Sequence, residues 1–138
     1  MAIASRGLHY NTMQVHYLRG TLLFSNGTIT LGVVPPGSII VSAGVVISTA
    51  FNAGTTNVID IGTTADPDGI ATDLAGGTIG NIVADEFATS NDLYTTTDVT
   101  ILASYAQTGT AATAGLGHVY VTFIPADPAI EPTGAEAT

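Results

Sequence analysis

His118-Val119-Tyr120-Val121-Thr122-Phe123-Ile124 alternates at every position. Val119, Val121 and Phe123 fall on one side; His118, Tyr120 and Thr122 fall on the other. A period of two is the repeat of a strand with one buried face, because successive side chains point to opposite sides of a sheet. Asp98 to Tyr105 repeats the pattern, with Val99, Ile101 and Ala103 facing one way, and Asn57 to Gly62 does so through Ile59 and Ile61.

Further upstream, Ser38 to Thr49 is rich in β-branched residues, and Gly44 within it predicts a bulge or bend. Pro35-Pro36-Gly37 before it reads as a rigid turn. Thr21-Leu22-Leu23-Phe24 and Thr28-Ile29-Thr30-Leu31 flank Ser25-Asn26-Gly27, which predicts a hairpin closed by a type I′ Asn-Gly turn. On its second arm Ile29, Leu31 and Val33 share one face. Residues 63–81 are turn-rich, with one helical turn predicted over Ile70 to Leu74, and 107–117 form a small-residue loop.

No segment sustains a helical apolar stripe for ten residues. Seven or eight short strands therefore predict an all-β chain, a single-domain β-sandwich or jelly roll over residues 13–124. An N-terminal arm (1–12) and a C-terminal tail (125–138) flank it. Pro125, Pro128 and Pro132 keep the tail from helix or central strand.

The chain has 138 residues, enough for one domain with a substantial core. Hydrophobic residues make up 46% and mean hydropathy is +0.43. Yet Pro35, Pro36, Gly37 and Gly44 interrupt the longest apolar run, so no membrane helix is expected. Charged residues are only 9%, against about 25% in ordinary domains. There is no lysine, and the two basic residues are Arg6 and Arg19. With a net charge of −9, neither a nucleic-acid nor a membrane partner is expected. A surface this poor in charge suits a protein covered by neighbours in an assembly.

Chemistry finds little footing. The absence of cysteine removes disulfides, thiol catalysis and Cys-based zinc sites. The N-terminal residues carry no signal-peptide pattern. His9, His16 and His118 lack metal-ligand spacing, and neither a G-x-S-x-G motif nor a phosphate-binding glycine loop occurs. Asp66-Pro67-Asp68-Gly69 begins like a calcium loop, but the twelfth position is Gly77 rather than glutamate, so an ordinary turn is the reading. A looser cation site from Asp66, Asp68 and Asp73 is the alternative. Asp85-Glu86 points to opposite faces of a strand, which does not suit paired acid–base work. The nine aromatics, spread one per strand or loop, read as core anchors, with Tyr10 and Tyr17 as alternative anchors onto a partner. The expectation is a non-enzymatic protein with no cofactor and no metal, whose candidate interface residues are Arg6, Tyr10, Tyr17, Arg19 and Ile130.

Leu31-Gly32-Val33-Val34-Pro35-Pro36-Gly37-Ser38-Ile39-Ile40 and Val45 to Gly62, with the loop Phe51-Asn52-Ala53-Gly54, resemble small jelly-roll-like virion proteins of tailed bacteriophages. The resemblance spans about residues 20–124 and rests on strand and turn chemistry. It implies a capsid decoration (cement) protein or head spike, a homotrimer on the exterior of the virion with the major capsid protein as partner. The alternatives are a tail, neck or fibre-base virion protein, or a carbohydrate-binding adhesive β-module; the absence of Trp argues against the last.

Overall fold

The structure is a computed structural model and describes residues 15–84 and 93–126. Among the described residues eight strands follow one another: β1 (His16–Leu23), β2 (Thr28–Val34), β3 (Ile39–Thr49), β4 (Thr56–Thr63), β5 (Ala71–Ala75), β6 (Gly80–Val83), β7 (Val99–Thr108) and β8 (Leu116–Ile124). They form two four-stranded sheets, β1-β8-β3-β6 and β2-β7-β4-β5. Every pairing is antiparallel, and first pairs with last inward along the chain: β1 with β8, β2 with β7, β3 with β6, β4 with β5. That nesting is one long hairpin rolled on itself, the connectivity of a jelly-roll sandwich.

The core lies between the sheets. From β8 it takes Val119, Val121 and Phe123; from β7 Ile101, Ala103 and Tyr105; from β4 Ile59 and Ile61; from β3 Ile40, Ala43, Val45 and Ile47. The strict alternations of the sequence thus fall as expected. Phe51, in the loop after β3, stacks on Tyr105 with ring centroids 4.4 Å apart.

Four expectations are corrected. The stretch 21–31 is not a hairpin: β1 pairs with β8 and β2 with β7, so residues 24–27 carry the chain from one sheet to the other. The Asn26 amide donates to the Leu23 carbonyl, and neither Asn26 nor Gly27 has positive φ, so the turn is not type I′. Burying Leu22 in one sheet and Val34 in the other outweighs the local Asn-Gly preference. The alternation of β2 also breaks. A bulge between Thr30 and Gly32 shifts the phase, so Ile29 and Leu31 pack inward while Val33 turns to solvent and Val34 is buried. Ile70 to Leu74 forms no helical turn; Ile70 is buried and leads into β5, where Leu74 pairs with Ile59. Gly44 lies in regular register between bulges at Ile40/Ser42 and Ile47/Thr49. Its glycine has another reason, given below.

Pro35-Pro36-Gly37 is the turn expected, with Gly37 at φ +81°, the conformation a type II turn needs at its third residue. The Ser38 amide and the Pro35 carbonyl are both served by the Thr95 hydroxyl, at 3.0 and 2.7 Å. Ser38 and Thr95 are both buried, so the segment entering β7 is stapled to this turn. The arm 1–12 and the tail beyond Ala126, with Asp85 and Glu86, lie outside the described residues.

Candidate interface

Because Val119, Val121 and Phe123 point into the core, His118, Tyr120 and Thr122 stand on the outer face of β8, as the sequence predicts. The registers place their neighbours. Tyr17 lies beside Thr122, Arg19 beside Tyr120 and Thr21 beside His118 on β1; Ser42, Gly44 and Val46 follow in the same order on β3. Asn81 of β6 continues the row from Val46.

Tyr17, Arg19, Val46, His118, Tyr120 and Thr122 line a mostly apolar depression of about 450 Å3. The Tyr120 ring lies across Gly44, where a β-carbon would come within 2.7 Å of its hydroxyl oxygen and of the Ile82 carbonyl. Gly44 is therefore the floor on which an aromatic ring rests. The Tyr120 hydroxyl donates to Asn81 Oδ1 at 3.0 Å, which fixes the ring. Ser42 and Thr122 are hydrogen-bonded through their hydroxyls on the rim.

Electrostatically the two outer faces differ. Arg19 is the only Lys or Arg among the described residues, and it stands on the face of β1-β8-β3-β6. The described carboxylates are Asp60, Asp66, Asp68, Asp73 and Asp98, none of them on that sheet. Asp60 and Asp73 sit on the opposite sheet, where Asp60 Oδ1 accepts from the Asp73 amide at 2.7 Å. Asp73 takes positive φ there, a conformation Asp tolerates.

One end of the sandwich forms a second feature. His16 opposite Phe123, and Ile39 opposite Ile124, bring the start of β1, the end of β8 and the β2–β3 turn together. The first and last described stretches, at Val15 and Ala126, thus adjoin the same end. Val15, Val33, Ile39 and Tyr94 are exposed around it, and Thr63, Thr64, Tyr94, Thr95 and Asp98 help line a mostly polar hollow of about 360 Å3. Asp66 to Gly69 nearby is a turn, closed by the Gly69 amide on the Asp66 carbonyl at 3.0 Å. Among the described residues no group of three or more His, Asp or Glu is placed to hold a metal.

Of the five residues expected at an interface, Tyr17 and Arg19 are brought together on one depression. Arg6, Tyr10 and Ile130 lie outside the described residues. The reading of the aromatics as core anchors holds for Phe51, Tyr105 and Phe123 and fails for Tyr17 and Tyr94, exposed by 65% and 58%. Val46 was not legible as a surface residue: in a run of β-branched residues only the bulges decide which side chains face out.

No protein-family model matches the chain, and neither does any curated protein sequence. Solved structures similar in fold include two from phage capsids. One is a chain of the cyanophage Pam1 capsid asymmetric unit, at TM-score 0.62 and 16% identity, covering 81% of this chain and 85% of that one. The other belongs to the acid-stable capsid of Helicobacter pylori bacteriophage KHP30, at TM-score 0.60 and 14% identity, covering 80% and 86%. At these identities the likeness establishes the fold: this chain shares its sandwich with chains found in phage capsids.

Proposed function

We propose that the chain is a phage capsid decoration (cement) protein: it binds the outer shell of the head, stabilises it, and catalyses nothing. The observation that carries this reading is the fold shared with two capsid chains. Each alignment covers nearly equal shares of both partners, so those capsid chains are themselves of about this size. A single small sandwich of this kind suits a cap on a lattice. The surface supports it too. With 9% charged residues and no lysine, the protein offers threonine, tyrosine and valine to its surroundings, groups that gain about 25 cal/mol per Å2 of apolar area covered.

In this reading the arms 1–12 and 125–138 reach the major capsid protein or neighbouring copies, from the end ringed by Val15, Val33, Ile39 and Tyr94. Arg6, Tyr10 and Ile130 lie on those arms. A homotrimer is the assembly proposed. The test adds purified protein to undecorated heads and measures occupancy and the temperature of DNA release. Saturable binding that raises the release temperature is expected, and deleting residues 1–12 should lower occupancy. Unchanged occupancy of the deletion variant would remove the N-terminal arm from the contact.

A further inference from the structure

Two features on opposite faces of the sandwich match one another. The first is the depression of about 450 Å3 around Tyr17, Arg19 and Tyr120, mostly apolar, with one cation and no described carboxylate on its sheet. The second is the turn Asp66-Pro67-Asp68-Gly69. Gly62 of β4 pairs with Leu102 of β7, and a β-carbon on Gly62 would meet the backbone of Asp66 and Pro67. The turn therefore rides over the outer face of β2-β7-β4-β5. It is tightly held there. The Asp66 carbonyl accepts from the Thr63 amide at 2.8 Å and from the Gly69 amide at 3.0 Å, and the buried Thr63 hydroxyl accepts from the Asp66 amide at 3.0 Å. Pro67 and Asp68 are exposed on it. Such a turn, with one angle fixed by proline, loses little conformational freedom when bound.

We propose that the turn of one copy seats in the depression of the next. Pro67 lies on the Tyr17 and Tyr120 rings, and the Asp68 carboxylate pairs with Arg19 of the neighbouring copy. Only unlike faces match. Two depressions set face to face would bring Arg19 against Arg19, and two turns would bring carboxylate against carboxylate. Height agrees as well. Gly62 beside Leu102, and Arg19 beside Tyr120, each stand about 10 to 14 Å in from the end where Val34 pairs with Val99 and Ile39 with Ile124. Copies related by rotation about an axis along the strands keep equal heights, so this head-to-tail contact closes a ring rather than running on as a fibre. Three such contacts close the homotrimer proposed above, on which this interface rests.

Sedimentation equilibrium of the purified full-length chain tests the contact. Trimer is expected for the unaltered protein. Arg19→Glu and Asp68→Arg, both on exposed side chains, should each weaken association by at least about tenfold. Asp68→Asn, which keeps the turn and removes the charge, should weaken it less, and reads the contact even if a reversed charge disturbs folding. Arg19→Glu combined with Asp68→Arg in one chain should restore the trimer. The two residues stand on opposite faces with the core between them, so that rescue can come only from contact between copies. A trimer untouched by any single change, or weakened by both without rescue, overturns this interface and leaves the homotrimer standing. A monomer at every concentration overturns both.

Discussion

Single residues carry two different duties in this fold, filling the core and shaping the outer face. Tyr105 does the first. Its ring packs on Phe51, and its hydroxyl donates to Asn57 Oδ1 at 2.6 Å. Burial raises its pKa above the ordinary 10.0, opposed in part by a backbone contact at Ala53. The folded state therefore holds the proton when the unfolded state has lost it. The stabilisation is complete below pH 10 and is lost as pH rises through the folded value. Chemical denaturation between pH 8 and pH 11 should show stability falling above about pH 10. Tyr105→Phe should flatten that fall while losing about 1 kcal/mol at neutral pH. Phe51→Ala should cost about 3 to 5 kcal/mol in the same assay. Gly44 serves the outer face. Gly44→Ala should cost about 1 to 3 kcal/mol and displace the Tyr120 ring, seen as a shifted Tyr120 ring resonance in NMR. Core identity was legible at this scale wherever alternation was strict, as at Ile59 and Ile61. The duty of Gly44 was not, because the ring above it comes from a strand 76 positions later, Tyr120.

The elements show where local sequence preference yields to the sheet. Asn26-Gly27 is a strong hairpin signal, yet the chain crosses between sheets there. The longer strands were legible, because β-branched alternation is local; β5, in a stretch that reads as a helical turn, and β6, among turn residues, were not. Their partners were not, because pairing is settled by which faces the whole sandwich can bury. Bulges add a second limit: the one in β2 reverses the faces of Val33 and Val34, and nothing in a β-branched run marks its position. The crossing turn gives a direct check. Gly27 has no positive φ, and a β-carbon there meets nothing within 4 Å. Gly27→Ala should therefore change stability by less than about 0.5 kcal/mol, where an αL-bound hairpin glycine would lose more than about 1 kcal/mol. Thr95→Val tests the staple between the β2–β3 turn and the entry to β7. It strands the Ser38 amide in a buried site and should cost about 1 to 3 kcal/mol by denaturant titration.

At the scale of the molecule, the sandwich presents an apolar face bearing Arg19, an opposite face bearing Asp60 and Asp73, and one end at which the start of β1 and the end of β8 lie together. The class of fold followed from strand count and turn spacing. Of the depression on the outer face, only Tyr17 and Arg19, which share β1, were legible as surface candidates; Val46 and Asn81 join them through pairings of β3 and β6 that only the folded sheet creates. Poor charge and a small β-body fit a protein made to be covered. Whether its cover is a phage shell is decided by cryo-electron microscopy of the intact particle that carries it. The account predicts density for this eight-stranded sandwich repeated over the outer surface of the head, with the end bearing Ile39 and Tyr94 turned toward the shell. Density confined to the neck, tail or fibre base, or none on the particle at all, would contradict it.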